Sequence, residues 1–190
     1  MFPLFDNPLQ LAHHYWRRLL TGEDRAIDAT CGNGRDTAVL AGLAGGVEAW
    51  DIQEEAIRAT RERTAGCPNV TCRLGCHSQL AKALSSPIAL AIFNLGYLPG
   101  GDKGITTRVE TTLEAAEALL GWLRPGGALS LVCYPGHPEG RREEGALLSW
   151  AEGLSQGEWC VAHHRFLNRT ASPSLLLIQK IRREGSSSPR

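Results

Sequence analysis

Two glycines separated by one residue close the run Asp28-Ala29-Thr30-Cys31-Gly32-Asn33-Gly34, between a short apolar stretch and a helical pattern. Glycines there let backbone approach a ligand at the carboxyl end of a strand, where open α/β sheets bind. The third glycine of a dinucleotide fingerprint is missing, and an acidic Asp28 at the mouth repels a pyrophosphate while suiting a cation. Asp51 follows about 20 residues on, at the end of the next apolar run, the position from which a carboxylate accepts both hydroxyls of an adenosine ribose. Gln53 then flanks the adenine. A tight turn with a capping Asp would use the same residues, but Asp28, Gly32, Gly34 and Asp51 together favour S-adenosylmethionine, which carries an ammonium and a sulfonium. Two further pairs keep two readings each. His77-Ser78 either meets the adenine edge or, through Ser78, caps the next helix. Asp36 and Thr37 either reach the amino-acid end of the cofactor or satisfy helix amides.

A second constellation, Phe93-Asn94-Leu95-Gly96-Tyr97-Leu98-Pro99-Gly100-Gly101-Asp102, breaks out of an apolar strand into a glycine-rich loop. An amine nucleophile must aim its lone pair at a methyl carbon, so its N–H groups need acceptors, and the Asn94 carbonyl and a neighbouring backbone carbonyl are candidates. Tyr97 is a candidate to stack on a base. An alkyl amine must first lose a proton, and Asp102, His137 and Tyr134 are candidates to receive it. Each of them, taken alone, equally suits an ordinary loop hydrogen bond. The loop Tyr134-Pro135-Gly136-His137 follows the next strand and should border the same crevice as Asn94.

These residues need a sheet to position them. Short apolar runs alternate with helical patterns, the signature of βαβ units. The spacing predicts helices over Leu9 to Leu20, Arg35 to Ala44, Glu54 to Ala65, after His77, Thr107 to Leu123 and Arg142 to Ser155. Strands are predicted over Arg25 to Ala29, Val47 to Asp51, Asn69 to Leu74, Ile88 to Asn94, Ala128 to Tyr134, Trp159 to Phe166 and Leu175 to Ile181, with Arg124-Pro125-Gly126-Gly127 as a turn. The expected fold is α/β: a Rossmann-like, doubly wound, mostly parallel seven-stranded sheet ending in an antiparallel hairpin.

With 190 residues, 43% of them hydrophobic and 21% charged, the composition suits one compact domain. Residues 1–183 are read as that domain, and the Ser-rich stretch 184–190 as a disordered tail. Twenty basic and twenty acidic residues cancel. Nucleic acid would therefore be met by a local patch such as Arg17-Arg18, Arg141-Arg142, His163-His164-Arg165 with Arg169, or Arg182-Arg183. Neither a signal peptide nor a membrane span is visible, so a cytoplasmic protein away from the membrane is expected. Six cysteines without a secretory signal read as reduced thiols. Cys67, Cys72, Cys76 and His77 lack a paired C-x-x-C, so they are read as packing residues and no metal is expected.

The glycine turn, Asp51-Ile52-Gln53, Asn94 through Asp102 with Lys103, and Gly136-His137-Pro138-Glu139-Gly140 together resemble the bacterial putative rRNA methylase family, over nearly the whole chain. The resemblance implies a class I methyltransferase fold with S-adenosylmethionine as cofactor. For the members known as tRNA 5-aminomethyl-2-thiouridine methyltransferases, it implies the amine of the anticodon's wobble uridine as target and tRNA as partner. Ribosomal RNA or a small-molecule amine is the alternative. By resemblance, Asp28, Gly32, Asn33, Gly34, Asp51, Gln53 and His77 line the cofactor. Asn94, Tyr97, Asp102 and His137 border the amine, and His14 matches a family histidine. The chain departs from the family at Ser172-Pro173-Ser174, where the family has a Pro-Pro-aromatic stretch. The oligomeric state, a homodimer included, stays open.

Overall fold

A computed structural model describes residues 7–102 and 104–182. Helix α1 (Pro8–Leu19) starts where Asn7 caps it, its side chain accepting from Gln10 N, with Pro8 at the first helical position. Then follow β1 (Arg25–Asp28), α2 (Arg35–Ala41), β2 (Gly46–Asp51), α3 (Glu54–Arg63), β3 (Val70–Leu74), a 3-10 turn (His77–Gln79), α4 (Leu80–Ala83) and β4 (Ile88–Asn94). The rest of the chain contributes α5 (Val109–Leu120), β5 (Leu123–Cys133), α6 (Pro138–Glu152), β6 (Trp159–His164) and β7 (Ser174–Lys180). The seven strands form one sheet in the order β3-β2-β1-β4-β5-β7-β6. β1 to β5 run parallel, and β7 is antiparallel to both β5 and β6. The expected Rossmann-like sheet and closing hairpin are both present.

Alternation along the central strands divides the core. Ile27, Ala91, Phe93, Leu129 and Leu131 point into one cluster with Ala115, Leu119 and Leu147 of α5 and α6. Ala26, Leu90, Ile92, Ala128 and Val132 point into the other, with Ala12 and Trp16 of α1 and Leu40 of α2. Helices thus cover both faces, which explains why β4 is buried throughout until Asn94. Trp16 is 1% exposed and donates its Nε1–H to Ser130 Oγ at 3.0 Å, fastening α1 to the sheet.

Several boundaries differ from the sequence reading. Arg124-Pro125-Gly126-Gly127 is not a turn before a strand but an irregularity inside β5, because Ile88 pairs with Leu123 and Leu90 already pairs with Ala128. A bulge accommodates a proline that cannot donate to the ladder. α6 begins at Pro138 rather than Arg142, because His137 caps it and proline suits the first helical position. α5 is shorter at both ends than Thr107 to Leu123, and Thr107 is spent on loop hydrogen bonds described below. The stretch 184–190, read as a tail, lies outside the described residues. No helix among the described residues is long and apolar enough to cross a membrane.

Candidate active site

Strand order reverses between β1 and β4, and the carboxyl ends of these strands open onto a cavity of about 710 Å³. The glycine turn forms its floor. Cys31 N donates to Trp50 O and Ala29 N to Ile92 O, so the turn is stitched to β2 and β4. Gly32 and Gly34 have φ of +49° and +72°, a region that disfavours residues with a Cβ. Thr60 Oγ1 donates to Gly32 O at 3.0 Å, and Arg63 Nε donates to Asn33 O at 2.7 Å. α3 therefore grips the turn from outside by its carbonyls.

Asp51 accepts from Gly32 N and Gln53 N, each at 3.0 Å and each through a different oxygen. These bonds leave acceptor capacity over, which suits a vicinal diol. Burial raises the Asp51 carboxyl above its ordinary range, opposed by the N–H groups of Gln53, Gly32 and Ile52. His77 lines the wall, its ring edge-on to Phe93 and its Nε2 3.2 Å from Thr111 Oγ1. Burial pushes its imidazole down to about 4, so it is neutral at pH 7.

At the other end stands Asn94. Its backbone N donates to Thr30 Oγ1 at 2.7 Å, and that hydroxyl donates back to Asn94 O at 3.3 Å. Its side-chain Nδ2 donates to Asp36 Oδ2 at 3.0 Å, and Asp36 Oδ1 lies 2.8 Å from His13 Nε2. A carboxylate only accepts, so the amide nitrogen must face Asp36 and Oδ1 must face away. Among the described residues this oxygen is buried and unpartnered. Tyr134 also lines the cavity, and its phenol is raised by burial first and then by the Asp36 charge, with the Asn94 amide opposing as a hydrogen-bond partner.

The loop after Asn94 is held from below. Gly96 N donates to Thr107 Oγ1 at 2.9 Å, and Thr107 N donates to Gly96 O at 3.0 Å. Thr107 Oγ1 in turn donates to Glu143 Oε2 at 2.7 Å, while Thr112 Oγ1 donates to Oε1 at 2.6 Å. Glu143 is 1% exposed, and a buried carboxylate of this kind is tolerated when both oxygens are bonded. A Tyr97–Thr106 bridge closes the loop, and Asn33 Nδ2 reaches across to Pro99 O at 3.3 Å.

Of the residues singled out in the sequence, Gly32, Asn33, Asp36, Asp51, Gln53, His77, Asn94, Tyr97 and His137 line the cavity, and Asp28, Gly34, Thr37, Ser78 and Asp102 do not. Asp28 is not at the mouth. It lies 1% exposed beneath the turn, accepting from Thr37 Oγ1 at 2.6 Å and Thr30 N at 3.3 Å. Its carboxyl is pushed up to about 7, by burial above all, with the Thr37 hydroxyl opposing and the Asp36 charge adding. Gly34 instead packs against Thr60 of α3, and Ser78 Oγ turns to Cys76 Sγ without capping the 3-10 turn. Asp102 is exposed and accepts from Gly104 N at 2.8 Å. His137 accepts from Gly140 N through Nδ1, so its neutral ring carries its proton on Nε2, a buried donor with no partner among the described residues. That tautomer gives a hydrogen, which suits a substrate acceptor better than a substrate N–H. The sequence reading also missed His13, Thr30 and Glu143. His13 was legible in one respect: Leu9, Ala12, His13, Trp16 and Leu20 follow helical spacing, which turns His13 inward and leaves His14 on the exposed side.

A sheet of this order, a glycine turn after β1, an acid ending β2 and an asparagine ending β4 define a methyltransferase of Rossmann-like architecture. The chain belongs to the family described as "Putative rRNA methylase", which matches residues 47–180. It is 37% identical over 187 residues to an Arabidopsis thaliana protein named tRNA (mnm(5)s(2)U34)-methyltransferase, chloroplastic, covering 90% of this chain and 68% of that one. Among solved structures it is similar to a Clostridium thermocellum protein described as "putative rRNA-methylase", with TM-score 0.91 and 35% identity over 94% of this chain and 100% of the other. A Streptococcus mutans protein described as "a putative methyltransferase", in complex with SAH, is similar with TM-score 0.87 and 36% identity, over 94% of this chain and 100% of the other.

Proposed function

We propose that the protein transfers a methyl group from S-adenosylmethionine to the aminomethyl nitrogen of 5-aminomethyl-2-thiouridine at the wobble position of tRNA. The observation that carries this reading is Asn94 at the cavity wall, its Nδ2 held by Asp36 and its buried Oδ1 left without a partner among the described residues. The tRNA relative and the SAH complex of a second relative support the substrate and the cofactor.

Asp51 takes the ribose hydroxyls, Gln53 and neutral His77 border the adenine, and the Gly32–Asn33 backbone runs beside the amino-acid end. Bound S-adenosylmethionine supplies an electrophilic methyl carbon. Asn94 Oδ1 accepts an N–H of the amine, which has given its ammonium proton to water, and turns its lone pair to that carbon; the N–C bond forms as the bond from carbon to sulfur breaks and the sulfur leaves as a neutral thioether, so catalysis is mostly positioning in a site that excludes water. Tyr97, whose ring lies 6.1 Å from that of His137, stacks on the base. RNA docking is supported by the β6–β7 loop, where Arg169 lies 4.6 Å over Phe166 and Leu167 is 86% exposed. Ala171 and Pro173 of that same loop line the cavity. A half-buried aromatic with a cation over its face, beside exposed side chains, suits unstacked bases.

The test is transfer of labelled methyl from S-adenosylmethionine to tRNA bearing 5-aminomethyl-2-thiouridine, with unmodified tRNA and ribosomal RNA as controls and nucleoside mass analysis as readout. Methylation confined to the aminomethyl tRNA is expected. Label on ribosomal RNA instead, or on no RNA while cofactor still binds, overturns the substrate.

A further inference from the structure

We infer that His13 is a positioning residue for methyl transfer, acting through Asp36 to fix the Asn94 amide with its Oδ1 toward the acceptor amine. The inference rests on the amine reading above, but its structural half stands without it.

The backbone of Asn94 is already held on both sides by Thr30, so the freedom that remains is rotation of its side chain. A flipped amide would set Oδ1 against the Asp36 carboxylate and aim two N–H donors into the cavity, where they would repel the hydrogens of an amine. Asp36 forbids that arrangement only while it is a carboxylate in its present rotamer. Its Oδ2 serves Asn94, and its Oδ1 depends on His13, the only ion partner that the described residues offer it. Asp36 is 8% exposed, and a carboxylate so buried is costly unless hydrogen-bonded. His13 supplies that bond from α1, an element outside the βαβ core, and its ring is set by contact with Trp16 at 4.6 Å.

The relay also carries charge. As the amine attacks, its nitrogen becomes positive, and its N–H leans harder on Oδ1. Asp36, pulling on the Asn94 N–H, drives electron density through the amide onto that same oxygen, so the two hydrogen bonds strengthen each other. Stabilisation that grows as charge develops lowers the barrier rather than tightening ground-state binding.

The decisive variant is His13→Phe, which keeps a ring against Trp16 and removes the nitrogen facing Asp36. His13→Gln restores an N–H donor of similar reach. The first readout uses the full chain without ligands: hydrogen exchange of the Asn94 side-chain NH2, identified by its loss in Asn94→Asp. Exchange about tenfold faster in His13→Phe and near normal in His13→Gln is expected. Unchanged exchange in His13→Phe overturns the relay. The second readout is methylation of aminomethyl tRNA, with kcat about tenfold lower in His13→Phe, largely restored in His13→Gln, and KM for tRNA and for S-adenosylmethionine within about twofold. Loss confined to KM, or no loss, overturns the positioning role. If the unsubstituted protein methylates no RNA, the proposed function falls, and the exchange experiment still decides whether His13 holds Asn94.

Discussion

Replacing Gly34 by alanine separates two costs that the glycine turn avoids. An added Cβ would lie 2.7 Å from Thr60 Cα and 3.0 Å from Thr60 Oγ1, on a backbone with φ of +72°. The left-handed conformation costs an ordinary residue about 1–2 kcal/mol. Overlap with the backbone of a packed helix adds about 1–3 kcal/mol, because α3 must move as a unit. Gly34→Ala is therefore expected to lower the unfolding free energy by about 2–5 kcal/mol in urea denaturation. Gly32 is the internal control. Its φ is +49°, and its Cβ would meet Leu98 Cδ1 at 3.5 Å and Thr30 O at 4.0 Å, ordinary contacts, so Gly32→Ala should carry the conformational cost of about 1–2 kcal/mol alone. Gly34→Asn distinguishes the terms further, since asparagine tolerates the left-handed region but still brings a Cβ. Because Thr60 also bonds Gly32 O, displacement of α3 should weaken cofactor binding in Gly34→Ala as well. A Gly34→Ala protein no less stable than Gly32→Ala would refute the overlap argument.

Other outcomes follow from the same geometry. Asp51→Ala should reduce S-adenosylmethionine affinity by at least tenfold, about the value of one hydrogen bond to a charged group, measured by calorimetry; unaltered affinity would remove Asp51 from the cofactor site. Asp28 has a folded-state pKa of about 7 against an ordinary 3.8, so its contribution is fully present below 3.8 and is lost as pH rises through about 7. Asp28→Asn, uncharged throughout, should flatten that decline, by about 3 kcal/mol between denaturation at pH 4.5 and at pH 7.5, and an unchanged slope would assign the dependence elsewhere. Glu143→Ala strands the hydroxyls of Thr107 and Thr112 and should cost about 2–3 kcal/mol in thermal or urea unfolding. Limited proteolysis should then cut first within residues 95–106, and protection equal to that of the unsubstituted protein would show that the Gly96–Thr107 bonds, the Tyr97–Thr106 bridge and Asn33 hold the loop without Glu143.

Local pattern was enough to settle the succession of strands and helices, the buried β4 and the glycine turn, because hydrophobic period and turn chemistry are written within a dozen residues. It also placed Asp51 and Asn94 at strand ends, since an apolar run that stops at a polar residue marks where the chain leaves the sheet. Burial and partnership were decided by packing. Asp28 and Asp51 both end strands in the sequence, yet α2 brings Thr37 over Asp28 and closes it off, while Asp51 stays open to the cavity. His13, Asp36 and Asn94 meet across gaps of 23 and 58 residues, and the Thr107–Glu143 clamp spans 36, which no local period encodes. Asp102 and His137 carry the chemistry of bases by residue type, but the hydrogen bonds they accept locally, from Gly104 N and from Gly140 N, turn one outward and fix the tautomer of the other. Residue type and local period mark the groups able to do chemistry and roughly where along the sheet they emerge; which of them meet depends on side-chain direction and on partners brought from distant elements.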